Sequence, residues 1–327
     1  MAFPIPLTPD LIAALVFPGI LALFGFLVVA IWGERKLVAK VQWRYGPLYV
    51  SKQIGGFLQP IADLVKLLFS ELVIPRHTNR FLFAATPVLL FAAEALPVVF
   101  IAAAPGLVIL YSQYGVVLAV VVWLLVAVFL VAMAWTEADK WTYIGAVREI
   151  LLTAAYEVPL LLSVLAMVML YNTADPLKVV ESQSWLWGII LNPLAFIAFY
   201  ISVMMSTTRF PFEIPEAEPE VVLGPYTEYG STLFILSFGG IYVKMYATSL
   251  LGVALFLGGW LPAADTVTGA AVTALKLAAF VLPLILVRAI YPRYRIDQAL
   301  RVGWTKLLAI SLGAVALSAL LRAVWPS

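Results

Sequence analysis

The sequence contains no cysteine and a single histidine, His77. Disulfides, thiolate-bound zinc, iron–sulfur clusters and bis-histidine haem are therefore excluded within this chain. Any redox chemistry it serves has its electrons carried by another polypeptide, and no metal site is expected. Charge is also scarce, with Asp, Glu, Lys and Arg making up 12% of the 327 residues while 64% are hydrophobic. That balance excludes a soluble globular domain and points to an all-α integral membrane protein. The net charge of +2 is uninformative in itself; its distribution matters more, and no nucleic-acid partner is expected.

What is present is a series of long apolar runs. At about 20 residues per crossing, eight transmembrane helices are expected at 11–32, 81–104, 115–134, 149–171, 186–206, 231–258, 267–290 and 304–324, in one transmembrane domain covering 1–327. Asp10 is a candidate cap for the first, and Pro292 lies just past the seventh. No basic residue precedes Asp10, so no cleavable signal peptide is expected. An even count puts both termini on one side. Sixteen of the twenty Lys and Arg residues fall in loops or at span ends of the other side, against Lys178 alone in the loops on the side of the termini. The positive-inside bias makes the basic side cytoplasmic and both termini external. The connection Asn172–Trp185 reads as an ordinary external loop.

Two cytoplasmic segments stand out. The long loop 33–80 carries Glu34-Arg35-Lys36, Gln42, Arg44, Gly46-Pro47, and Gln59-Pro60 through Asp63, Lys66 and Glu71. Pro60 suits a first helical turn. Ile61, Leu64, Val65, Leu68 and Phe69 then follow helical spacing opposite Asp63, Lys66 and Ser70. Too short to span, this is expected as an interfacial amphipathic helix. His77 follows it and is expected at the surface.

The second segment, 207–230, holds Arg209, Glu213, Glu216, Glu218, Glu220 and Glu228, with Pro211, Pro215, Pro219 and Pro225. The prolines rule out one regular helix, and irregular backbone beside a membrane must be buried in protein or line an aqueous cavity. An extended stretch would put Glu216, Glu218 and Glu220 on one side. Clustered carboxylates raise one another's pKa and titrate together, which suits proton handling. Arg209 is the only cation in the segment.

Ionisable residues also fall within the expected spans: Glu94, Glu149 after Arg148, Tyr156-Glu157, Lys244 and Lys276. A charge at the bilayer centre costs at least about 2.5–3.5 kcal/mol on insertion scales, so each needs a partner or a function. Glu157 and Lys244 read as functional, whereas a structural role for Lys276 is equally favoured.

Taken in order, these motifs resemble the membrane-embedded quinone-site subunit of respiratory complex I. The resemblance is carried by Glu34-Arg35-Lys36, Gln42-x-Arg44-x-Gly46-Pro47, Gln59-Pro60-x-x-Asp63, Gly145-x-x-Arg148, Tyr156-Glu157, Arg209-x-Pro-Phe212, Pro215-Glu216-x-Glu218-x-Glu220, Gly224-x-x-x-Glu228-Tyr229 and Tyr291-Pro292-Arg293. It covers essentially the whole chain. It implies a subunit without redox centres in a proton-translocating quinone oxidoreductase of the prokaryotic plasma membrane. Quinone would be a shared substrate, no cofactor would be covalently bound, and iron–sulfur clusters would sit in partner subunits. The implied partners are peripheral iron–sulfur and quinone-site subunits, small membrane subunits, antiporter-like proton-pumping subunits and membrane lipid. Arg35, Arg44, Gln59, Asp63 and Phe212 would border the quinone tunnel. Glu213, Glu216, Glu218, Glu220 and Glu228 would pass charge inward to Glu157 and Glu149, with Arg148, Arg209 and Lys244 as charge partners.

Leu48, Ser70, Leu152 and Glu213 stand where the family usually has asparagine, lysine, glutamine and aspartate, pointing to a divergent branch. Two other classes fit part of the pattern. The membrane anchor of an energy-converting hydrogenase shares the early loop and acidic motifs. A free-standing cation/proton antiporter would use Glu94, Glu157 and Lys244 but leave the cytoplasmic motifs idle.

Overall fold

The structure is a computed structural model describing residues 9–137 and 139–324. Its helices are α1 (Pro9–Leu15), α2 (Ile20–Val41), α3 (Gln59–Leu68), α4 (Arg80–Ala95), α5 (Gly115–Glu137), α6 (Lys140–Tyr171) and α7 (Pro176–Glu181). They continue as α8 (Gly188–Leu191), α9 (Pro193–Ser206), α10 (Glu218–Val221), α11 (Ser231–Phe256), α12 (Thr266–Ile290), α13 (Ile296–Arg301) and α14 (Leu308–Val324). A π-helical turn, Val302–Leu307, joins the last two, so that 296–324 runs as one rod.

Among the described residues, seven helical stretches are long and apolar enough to cross a membrane: Asp10–Val41, Arg80–Phe100, Gly115–Glu137, Lys140–Tyr171, Ser231–Phe256, Thr266–Ile290 and Ile296–Val324. The expected crossing at 186–206 is instead divided. Asn192 ends α8 and caps α9, its Oδ1 accepting from the Ala195 N–H at 3.0 Å while its Nδ2 donates to Ala314 O and Ser318 Oγ on α14. Pro193, at the first turn of α9, lacks the N–H needed to continue α8. With 14 residues, α9 is about 21 Å long, short of a bilayer core of about 30 Å.

The chain ends of two other helices also shift, for one reason: charged residues remain helical when they find partners. Glu34, Arg35 and Lys36 continue α2 to Val41, so the first long loop begins at Gln42 and not at 33. Asp139 caps α6 through the Trp141 N–H at 2.8 Å and starts that helix at Lys140, nine residues before the apolar run suggests. Asp10 lies inside α1, in its first turn.

The most enclosed helix is α11, buried on every face from Gly240 to Phe256 and packed by α2, α4, α9 and α12. A helix apolar all round belongs at the centre of a bundle; Lys244 is the exception that places a cation there. Contacts gather the irregular segments at one end. Ser231 Oγ donates to Leu67 O and Ser70 O, the Tyr294 N–H donates to Pro211 O, and the Glu228 N–H donates to Glu137. The first loop, the acidic segment, the α5–α6 turn and the α12–α13 connection therefore meet.

Candidate functional site

At this end, a cavity of about 280 Å³ opens between α2, α11, α12 and the acidic segment. Its floor is an ion-pair network. Glu34 sits on the last turns of α2 and is buried there because three groups satisfy its carboxylate. Arg209 reaches Oε1 at 2.6 Å, Arg288 of α12 pairs with the same oxygen, and the Tyr242 hydroxyl donates to Oε2 at 2.8 Å. Arg288 also reaches Glu213 at 3.2 Å, and Arg293 holds the other Glu213 oxygen at 2.8 Å. Arg209 is only 6% exposed and lies over the Tyr242 ring. Burial disfavours its charged form, but the Glu34 carboxylate outweighs this and holds the guanidinium pKa above its ordinary value. Its Nε and Nη2 remain unpartnered.

Glu216 stands one layer deeper and lines both this cavity and a second one of about 430 Å³ against Phe210, Glu218 and Arg293. Thr208, whose positive φ of 46° is unusual for a β-branched residue, aims its hydroxyl at Glu216 Oε1, 2.8 Å away. Burial, reinforced by Glu213, raises the Glu216 pKa from 4.5 to about 7 despite the Thr208 hydrogen bond and nearby Arg209 and Arg288. This carboxyl is therefore poised to exchange a proton near neutral pH.

Within the bundle a hydrogen-bonded run crosses α11 and α6. Lys244 Nζ donates to the Tyr156 hydroxyl at 3.2 Å, that hydroxyl lies 3.2 Å from Thr153 Oγ1, and Thr153 donates to Glu149 Oε1 at 3.4 Å. Half-buried Glu157 lies beside Lys244 at a small cavity with Trp123 and Ser206. The Tyr226 hydroxyl feels the charges of Glu216, Glu94 and Glu149, and burial pushes its pKa well above the usual tyrosine value.

The remaining expected site residues divide into groups. Arg35 and Arg44 line the cavity. Arg35 donates to Asp63 at 2.5 Å, and Gln59 donates to the other Asp63 oxygen at 3.0 Å. Though burial opposes it, these two hydrogen bonds hold the Asp63 carboxyl below its ordinary pKa. Phe212 is buried edge-on against Tyr294 and lines neither cavity. Glu216, Glu218 and Glu220 do not share a face. The short helix α10 begins at Glu218 with Pro219 in its first turn, leaving Glu216 buried and Glu218 and Glu220 exposed, the latter paired with Arg148 at 2.6 Å. Glu228 is exposed too, and only its backbone reaches Glu137. Arg209 is not the acidic segment's internal counter-ion, since its partner is Glu34 and the segment's other cations come from α6, α12 and Arg293.

Five contributors were not among the expected site residues: Glu34, Glu137, Thr208, Tyr242 and Arg288. Glu34 carried a usable signal, a carboxylate at the end of an apolar run. Arg288 carried none, because its partner lies 254 residues away. Lys276 lies away from this site and donates to Leu257 O, Gly259 O and Leu261 O at 2.6, 3.0 and 2.6 Å.

Fold and cavity lining together define a multi-pass helical membrane protein that buries carboxyls, arginines and hydroxyls. More specifically, the chain belongs to the NADH dehydrogenase family, which its residues 13–319 match. It is similar to a subunit of the NADH-quinone oxidoreductase of Geobacillus sp. (strain WCH70), with 34% identity over 303 residues that cover 92% of this chain and 91% of the relative. The corresponding NADH-quinone oxidoreductase subunit of Geobacillus thermodenitrificans (strain NG80-2) is 32% identical over 308 residues, covering 94% and 92%.

Proposed function

We propose that this chain is the membrane subunit of a proton-translocating NADH-quinone oxidoreductase of the complex I type, and that it forms the membrane part of the quinone path. The observation that carries this reading is the adjacency of two cavities along α2 and α12. The polar one contains Glu34, Arg35 and Arg288. Along the same two helices runs an apolar groove of about 530 Å³ walled by Trp32, Gly33, Leu37, Tyr246, Val281 and Ile285. A polar head group and an isoprenoid tail need such a pair of surfaces, an apolar wall with few placed polar groups.

Reduction of the quinone, by electrons delivered from iron–sulfur subunits, adds negative charge and draws protons. Arg209 and Arg288 stabilise that charge at the cavity floor, since ion pairing is strong where water is excluded. Glu216, titrating near neutrality, takes up or releases a proton in response. Tyr226 and the run through Glu149, Tyr156 and Lys244 carry the change inward, with Glu157 beside it. The exposed Arg35–Asp63–Gln59 cluster and the aromatic residues Trp43, Tyr45 and Tyr49 border the contact with the peripheral subunits. Glu218, Glu220 and Glu228, at the surface of the acidic segment, form its charged rim. The loop-rich end faces the cytoplasm of a prokaryotic plasma membrane.

The test is donor-dependent reduction of a short-tailed quinone by the natively purified assembly, with and without a tunnel-blocking inhibitor, while hydrogen evolution is followed. Inhibitor-sensitive quinone reduction is expected. Hydrogen evolution indifferent to quinone would instead make the chain a hydrogenase anchor.

A further inference from the structure

One buried acid has no place in the carboxylate chain just described. Glu94, one residue before the end of α4 at Ala95, is 3% exposed, and its Oε2 has no hydrogen-bond partner. Its carboxyl occupies the space left by the missing side chain of Gly240 on α11, where any Cβ would collide with it. Sequence alone marks Glu94 only as a charge within a span; the packing shows that α11 makes room for it.

Its electrostatic neighbours are Lys244 on α11, Glu149 on α6 and Glu216 of the acidic segment. Glu149 is 5% exposed and likewise has an unpartnered Oε2. Among the described residues Lys244 forms no ion pair, and its ammonium donates only to Tyr156. The Glu149 side is thus joined to Lys244 through two hydroxyls, whereas the Glu94 side approaches with a bare oxygen. Half-buried Glu157 is the other carboxylate beside Lys244.

A net charge in such an interior is strongly disfavoured. Of Lys244, Glu94 and Glu149, the neutral combination has one ammonium, one carboxylate and one protonated carboxyl. Two acids then hold one proton between them.

Resting on the proton-coupling reading above, we infer that Glu94 is a reserve proton site, sharing one proton with Glu149 across Lys244. The Glu94 carboxyl gives its proton up and the Glu149 carboxylate takes it. Negative charge moves to Glu94 while Lys244 stays cationic, so the cluster's net charge is unchanged. Tyr226, among Glu216, Glu94 and Glu149, supplies the hydroxyl through which Glu149 then serves Glu216. The α4 side thereby refills the chain that the quinone reaction draws upon.

The experiment measures protons moved per quinone reduced by the whole complex in sealed vesicles. Glu94→Gln is expected to lose part of this yield, and Glu94→Asp to retain it. Glu216→Gln is run in parallel. A loss in Glu216→Gln with a wild-type yield in Glu94→Gln overturns the reserve site and leaves the coupling reading standing. Wild-type yields in both overturn the coupling reading itself. Should Glu94→Gln fail to assemble, infrared difference spectra of wild type and Glu94→Asp on quinone reduction decide. A protonated-carboxyl band that shifts between them supports the site, and an identical band overturns it.

Discussion

The two ends of this bundle treat buried polar atoms in opposite ways. At the end formed by 172–192 and 257–265, hydrogen-bonding capacity is consumed. Gln183 donates to Val179 O and Ala254 O and accepts from the Gly188 and Gly258 N–H groups, using both donors and both acceptor sites. Lys276 spends three donors on three carbonyls beyond the C-terminus of α11 and lies over the Trp187 ring. At the loop-rich end and in the layer beneath it, capacity is left over. Glu94, Glu137 and Glu149 each keep a free carboxylate oxygen, Arg209 keeps two free nitrogens and Arg293 one. An unsatisfied buried polar atom costs on the order of 1–3 kcal/mol. Towards the first end the unpartnered buried atoms among the described residues are two neutral hydroxyls, Ser249 Oγ and Thr273 Oγ1. Leaving charged groups unpartnered at the other is the larger cost, and it suits atoms whose partners arrive during function: a proton, a head group or water.

If this contrast holds, substitutions at the loop-rich end should change chemistry as well as stability. The largest effect is expected at Arg209. Replacing it by alanine leaves Glu34 with Arg288 as its only cation, and removing one partner of a buried pair costs about 3–5 kcal/mol. Arg209→Ala should therefore lower the amount of assembled complex on native gels and abolish most quinone reduction. Lysine should rescue assembly better than activity, because it lacks the planar guanidinium that both pairs with Glu34 and lies over Tyr242. Normal assembly and turnover in Arg209→Ala would remove the ion-pair floor from the site.

The next effect is the pH dependence at Glu216. Its pKa rises from 4.5 to about 7 on folding, so its stabilising contribution is complete below about 4.5 and is lost as pH rises through about 7. Over that window the difference is on the order of 3 kcal/mol. The pH dependence of thermal unfolding between 4.5 and 7 should flatten in Glu216→Gln, which cannot titrate. The groups facing it are Thr208, Glu213, Arg209, Arg288 and Tyr226, so Thr208→Val should shift the window upward by removing the hydroxyl that favours the anion. An unchanged pH profile in Glu216→Gln would show that this carboxyl does not titrate there.

Much of the loop-rich end was legible in the sequence, because its signals are local. A run of carboxylates and prolines between apolar spans cannot be ordinary loop, and Gln59-Pro60 opens a helical pattern that is indeed helical as α3. What escaped was set by distance or by partners. Hydropathy stops at the first charges of α2, but Glu34 stays in a helix because Arg209 and Arg288 come to it from 175 and 254 residues away. Glu216 parts from Glu218 and Glu220 because Pro219 turns the chain, which an alternation rule cannot foresee. The unbroken helix expected at 186–206 is divided at Asn192, whose hold on α14 is visible only once the helices are packed.

The smallest effect, and the control on the whole comparison, belongs to Lys276. In sequence it resembles Lys244, a lysine inside an apolar span; in the structure it caps carbonyls and faces no carboxylate cluster. Lys276→Met should lower the unfolding midpoint, since three carbonyls lose a charged donor. Hydrogen bonds to charged groups contribute about 1.5–3 kcal/mol, but water can reach this half-buried end, so a net loss of about 1–2 kcal/mol is expected. Protons moved per quinone reduced should stay at the wild-type value. Were that ratio to fall, a residue with every donor satisfied would be taking part in coupling. Unpartnered charged groups would then no longer separate the working end of the molecule from the structural one.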